Sequence, residues 1–175
     1  MGDLTVFIGG AKSGKTKAAL REASRHPAPR IYLATAQGLD LEMTERIKRH
    51  QRERGDDWRT LESPLDPASS ISALKGSDPV LMDCLTLWFS NLMLAKPFEE
   101  QDISYYEDKV EELVRAFGDY GGPSILVSNE LGSGIVPMDP AARLYRDAVG
   151  LAHQRLAQSA KDVWFVVAGI PLKLK

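Results

Sequence analysis

Gly9-Gly10-Ala11-Lys12-Ser13-Gly14-Lys15-Thr16 fits the pattern G-x-x-x-x-G-K-[ST]. Such a run can do one kind of chemistry well. Its glycines let backbone N–H groups converge on phosphate oxygens, and a helix starting at its end adds partial positive charge. Lys15 can reach the β- and γ-phosphates of a nucleoside triphosphate, and the Thr16 hydroxyl can ligate Mg²⁺. A chance glycine-rich turn is the alternative, and the flanks count against it: an apolar run precedes the motif and a helical stretch through Leu20 follows. Asp83 ends a second apolar run. It can hold Mg²⁺ directly or through water, or cap the helix that starts near Leu85.

Other polar residues sit at the ends of apolar runs. Thr35 follows IYLA, and Asn129-Glu130 follows SILV. Glu130 can act as a base or metal ligand, or can cap the glycine-rich turn ELGSGIVP. A different constellation lies between residues 40 and 54. Arg46, His50 and Arg54 are four apart, so on a helix they share a face. Two flanking guanidinium groups favour a neutral, nucleophilic imidazole and can hold the phosphates it would attack. A solvated helix with pairs such as Glu45–Arg49 explains the same residues without chemistry. His26 and His153 lack such a setting and read as structural.

The elements that must position these residues are legible from hydrophobic pattern. Runs at 4–8, 31–34, 80–82, 124–127 and 163–168 are continuously apolar, as in parallel strands covered on both faces. Helical spacing joins Leu85, Trp88, Phe89, Leu92 and Met93, and then Val110, Leu113, Val114 and Phe117. Asp139-Pro140 opens a helix whose stripe is Tyr145, Val149, Ala152 and Leu156. The 85–94 stretch is apolar almost all round, which suits a core helix better than a subunit interface. Strands alternating with helices predict an α/β, doubly wound, P-loop-type (RecA-like) fold with a mostly parallel sheet, one domain over residues 1–175.

Composition bounds the rest. The 175 residues carry 22 Lys+Arg against 24 Asp+Glu, a net charge of −2, so no general nucleic-acid footprint is expected and any anion site must be local. The single cysteine, Cys84, excludes an intrachain disulfide and a thiolate metal cage. No apolar run approaches membrane-span or signal-peptide length, so a cytoplasmic protein is expected. Taken this far, the residues predict a Mg²⁺-dependent NTP-binding enzyme without naming its substrate. A kinase of another small metabolite, and a nucleotide-dependent switch or assembly module, are the competing readings.

The chain also resembles the bifunctional adenosylcobinamide kinase/adenosylcobinamide-phosphate guanylyltransferases of cobalamin biosynthesis, almost end to end. The resemblance is carried by GGAKSGKT, IYLATAQGLDLEMTERIKRHQRER, WRTLE, VLMDCLT, SNELGSGIVP and VWFVVAGIPLKLK. It implies two reactions: phosphorylation of adenosylcobinamide by ATP or GTP, then transfer of GMP from GTP to adenosylcobinamide phosphate through a histidine-GMP intermediate. It makes His50 the nucleophile. Some relatives carry a second histidine one position earlier, where this chain has Arg49. It implies nucleotide contacts from Gly9 to Thr16 and from Thr35, Ala36, Gln37, Gln51, Arg52, Glu53, Arg54, Glu62 and Asp83. It also implies a homo-oligomer, with a trimer suggested by relatives. The base of the kinase step stays open among Asp83, Glu62 and Glu130.

Overall fold

The computed structural model describes residues 3–38, 45 and 54–175. The predicted helix 40–54 lies outside these, save for Glu45 and Arg54.

All five apolar runs are strands. β1 (Leu4–Gly9), β2 (Arg30–Ala34), β4 (Val80–Asp83), β5 (Ser124–Asn129) and β6 (Asp162–Val167) pair in parallel. Two further strands complete the sheet: β3 (Trp58–Glu62), parallel to β2, and β7 (Ile170–Lys173), antiparallel to β6. The order is β3-β2-β4-β5-β1-β6-β7. Both additions flank the sheet as edge strands, where burial is one-sided and a continuous apolar run is not required. WRTLE is exposed at Arg59, Thr60 and Glu62, and all four residues of β7 are exposed, with Pro171 tolerated at an edge.

The helices are α1 (Lys15–Ala23), α2 (Pro67–Ser72), α3 (Leu85–Ala95), α4 (Ile103–Asp119) and α5 (Pro140–Ser159). Three begin at aspartate caps: Asp66, Asp102 and Asp139 accept from the backbone N–H of Ser69, Tyr105 and Ala142 at 3.0, 3.0 and 2.8 Å. Pro140 at the first turn of α5 has the role its position suggests. One face of the sheet packs α1 against Phe7, Tyr32, Leu81, Ile125 and Val127. The other buries a larger core in which α3 contributes Trp88 and Phe89, 1% and 0% exposed. The nearly all-apolar α3 is thus a core helix. Its solvent opening is confined to one side, where Leu94 is exposed.

The parallel register sets the functional edge. Ala34 lies opposite both Glu62 and Asp83, and Gly9 lies opposite Asn129. The carboxyl ends of β1 to β5 therefore share one rim, the side on which open α/β sheets bind ligands.

Candidate active site

β1 runs straight into the phosphate loop. Gly9 is required by closeness: a Cβ there would stand 2.3 Å from the Val166 carbonyl oxygen and 2.7 Å from Ser13 Oγ. Lys12 and Gly14 adopt positive φ, 54° and 94°, which turns the chain tightly before α1. Ser13 N–H donates to Gly10 O at 3.2 Å and Gly169 N–H to Ser13 O at 2.8 Å, so the tip of the β6–β7 hairpin clamps the loop from outside. The Lys15 ammonium, largely buried, donates to Gly10 O at 3.0 Å. Ser13 Oγ is buried with no hydrogen-bond partner among the described residues. A buried hydroxyl in this state suits a phosphate oxygen.

Asp83 faces this loop. Its Oδ2 accepts from Thr16 Oγ1 at 3.1 Å and from the Tyr32 hydroxyl at 2.9 Å. The helix-capping reading of Asp83 fails: the cap position of α3 belongs to Cys84, with no side-chain cap bond. A hydroxyl and a carboxylate side by side at a phosphate loop are the oxygen donors that Mg²⁺ takes when phosphates supply most of its remaining ligands. Groups of three or more His, Cys, Asp or Glu fit for a metal are absent among the described residues, so a metal held by protein side chains alone is not built there.

Behind Asp83 lies a polar scaffold. Thr35, 0% exposed, donates its hydroxyl proton to Cys84 O and accepts from Cys84 N–H, both at 2.8 Å. Asn91 of α3 donates to Thr35 O and Pro64 O at 2.7 and 2.9 Å. Asn129 donates to Thr86 Oγ1 at 2.7 Å. Burial, then the neighbouring Asp83 carboxylate, pushes the Cys84 thiol up to about 11, so it is no nucleophile.

The remaining expected site residues distribute unevenly. Ala36 and Gln37 are half-buried just past β2. Glu62 is exposed at the end of β3 on the same rim. Arg54 stacks on Tyr32, its guanidinium carbon 3.5 Å from the ring centroid. Arg46, His50, Gln51, Arg52 and Glu53 lie outside the described residues. Glu130 Oε1 accepts from Gly132 N–H at 2.6 Å and Ser133 N–H at 3.1 Å, capping its turn. His153 packs against Ser128, Nε2 to Oγ 2.7 Å, in keeping with a structural role.

Pattern reading missed Tyr32 and Asn91. Each sits inside an apolar run that reads as core. The usable signal was chemical: a phenol or carboxamide that is buried needs a polar partner.

The fold and loop define a P-loop nucleotide-binding protein. Solved structures agree at the level of fold: the RadB recombinase (TM-score 0.52, 18% identity, 93% of this chain and 73% of that one) and a type III secretion system ATPase (TM-score 0.55, 12% identity, 99% and 57%). The family described as "Cobinamide kinase / cobinamide phosphate guanyltransferase" matches residues 5–174, and this chain belongs to it. Among its relatives is the "Bifunctional adenosylcobalamin biosynthesis protein CobP" of Pseudomonas aeruginosa, 41% identical over 97% of this chain and 96% of the relative. The corresponding CobU protein of Salmonella typhimurium is 40% identical over 98% and 99%.

Proposed function

We propose that this chain carries out both reactions of its family: phosphoryl transfer from ATP or GTP to a hydroxyl of adenosylcobinamide, then GMP transfer from GTP to the resulting phosphate. The observation that carries this reading is the family match over residues 5–174, joined to a phosphate loop whose Thr16 meets Asp83 at 3.1 Å.

In both reactions the loop's N–H groups and the start of α1 bind the phosphates. Lys15 exchanges the Gly10 carbonyl for phosphate oxygens and offsets the charge that develops on the leaving group. Thr16 and Asp83 are the residues that would hold Mg²⁺, which supplies further neutralisation of the phosphate charge. In the second reaction an imidazole nitrogen of His50 attacks the α-phosphorus of GTP. An N–P bond forms, the bond from the α-phosphorus to the bridging oxygen breaks, and pyrophosphate leaves with that oxygen. A phosphate oxygen of adenosylcobinamide phosphate then attacks the same phosphorus, the N–P bond breaks, and adenosylcobinamide-GDP forms. The covalent stage splits one difficult displacement into two. Arg46 and Arg54, four residues to either side of His50, supply cationic charge for the phosphates.

The fully exposed Ile135 and Met138, together with Ile170, Leu172 and Leu174 on β7 and the tail after it, support a homo-oligomer, a trimer by the family resemblance. No helix among the described residues is long and apolar enough to cross a membrane, and we take the enzyme to be a single-domain cytoplasmic one.

Incubation with α-³²P-GTP and Mg²⁺ followed by denaturation tests the covalent stage. Acid-labile label should appear on the wild-type chain and vanish in His50→Ala. Label that survives that substitution places the nucleophile elsewhere, and absence of label on an active wild-type enzyme rules the covalent route out.

A further inference from the structure

Tyr32 lies mid-way along β2, in a run whose other side chains are mostly apolar, and is 5% exposed. Its hydroxyl reaches across to the neighbouring strand and donates to Asp83 Oδ2, the oxygen that also takes the Thr16 hydroxyl. Burial, reinforced by the Asp83 carboxylate, holds the phenol far above its ordinary pKa, so it remains a donor at any physiological pH. Asp83 is therefore oriented by two hydroxyls, one from the phosphate loop and one from β2.

The ring of Tyr32 is used as well. Trp58 meets it edge-on, with centroids 6.1 Å apart and planes at 80°. The Arg54 guanidinium lies over its face at 3.5 Å and reaches Thr60 Oγ1 at 3.3 Å. A guanidinium flat on a desolvated ring is attracted electrostatically by its π-face. Burial lowers the Arg54 pKa, and Tyr32 and Asp83 offset only part of that fall. A continuous line of contacts thus runs from Arg54 through Tyr32 and Asp83 to Thr16. Arg54 is four residues past His50 in the chain.

A phenylalanine would fill the space under α1 equally well, and a leucine nearly so. Only a tyrosine offers both the hydroxyl that Asp83 accepts and the aromatic face that Arg54 covers. We propose that Tyr32 is a positioning residue serving both half-reactions: its hydroxyl sets Asp83 for Mg²⁺ at the phosphate loop, and its ring seats Arg54, the cation four residues past His50 in the sequence. The second half of this statement rests on the reading of His50 as nucleophile.

Two variants of the full chain separate the two roles. Tyr32→Phe keeps the ring and removes the hydroxyl, and Tyr32→Leu removes both. Equilibrium binding of a β,γ-imido GTP analogue is measured across Mg²⁺ concentrations. Tyr32→Phe should need about tenfold more Mg²⁺ for half-saturation, with metal-free binding of the analogue unchanged. At saturating Mg²⁺ its phosphoryl-transfer and GMP-transfer rates should both return to near wild type. Tyr32→Leu should lose about tenfold more in GMP transfer than in phosphoryl transfer, because Arg54 supplies its charge to the phosphates of the former. If thermal unfolding shows that Tyr32→Leu does not fold, Arg54→Lys takes its place, since it keeps the charge but loses the planar stack, and the same split is expected. A wild-type Mg²⁺ response in Tyr32→Phe overturns the hydroxyl's role. Equal losses in the two rates overturn the ring's role, and with a wild-type Mg²⁺ response in Tyr32→Phe as well, Tyr32 is a core residue only. Covalent labelling of the wild-type chain is scored separately: its absence removes His50 as nucleophile, while the Mg²⁺ titration and the ratio of rates still decide Tyr32.

Discussion

Thr35 closes two backbone groups of the residue just past β4 with one hydroxyl, accepting from Cys84 N–H and donating to Cys84 O. It is fully buried, so neither group has water as a substitute. Its side chain is thereby committed to holding the junction that aims Asp83. Thr35→Val keeps the shape and leaves the Cys84 N–H unpaired, while Cys84 O keeps only the Trp88 N–H at 3.2 Å. It should cost about 2 kcal/mol in urea unfolding, and Thr35→Ser should recover most of that loss. His153 gives a second residue-scale expectation. Burial holds its pKa down at about 4, although Glu130 raises it somewhat. In the unfolded chain an ordinary histidine titrates near 6.5. Above that pH both states are neutral and stability is full. Below it the unfolded chain binds a proton that the folded one refuses, so stability falls between about pH 6.5 and 4, by up to roughly 3 kcal/mol. His153→Gln should lack this slope, so the difference between the wild-type and variant pH–stability curves measured in urea should display it.

Elements matter through how they meet the phosphate loop. The β6–β7 turn places Ala168 and Gly169 at φ 50° and 80°, and the Gly169 N–H fastens Ser13 O. A Cβ on Gly14 would stand 3.1 Å from Gly169 Cα, so the hairpin and the loop are packed backbone against backbone. Gly169→Val forces a β-branched side chain into a left-handed conformation, at a cost of about 1–3 kcal/mol. The strain should fall on the loop it clamps. The expected outcome is a raised KM for nucleotide in both reactions, by about tenfold for each 1.4 kcal/mol that reaches the site, together with a lower Tm. An unchanged KM alongside a lowered Tm would confine the hairpin to stability. α3 behaves differently. Its Trp88 and Phe89 are core, so Phe89→Ala should destabilise by about 3–5 kcal/mol without selecting between the two reactions.

At the scale of the whole molecule, Ile135 and Met138 stand 97% and 96% exposed in the loop between β5 and α5. Apolar side chains so placed contribute little to a monomer's stability, and they favour association. Ile135→Glu should therefore leave the unfolding free energy within about 0.5 kcal/mol at fixed oligomeric state while shifting light-scattering mass toward the monomer. A wild-type chain that is monomeric at micromolar concentration would contradict the oligomer outright.

Much of this architecture was legible along the chain. The five apolar runs became the central strands, since a strand buried on both faces must be apolar at every position. Asp139-Pro140 marked a helix start because capping is a local interaction between neighbours. The phosphate loop was legible for the same reason: its function lies in eight consecutive residues. β3 and β7 were not, because edge strands tolerate exposed polar residues and proline, and their pairing partners lie elsewhere in the chain.

What the sequence by itself determined was the chemistry available: a loop that binds phosphates, an aspartate at a strand end, and a histidine between two arginines. These follow from residue type and short spacing, through covalent neighbours and helical or strand period. Tertiary structure alone decided what those groups touch. That Asp83 turns to Thr16 rather than to the start of α3, that Thr35 is committed to Cys84, and that Tyr32 carries both a carboxylate and a guanidinium each depend on strands brought together from distant parts of the chain. Burial supplies the reason: once desolvated, each polar group must find its partner in space, and residues distant along the chain provide it.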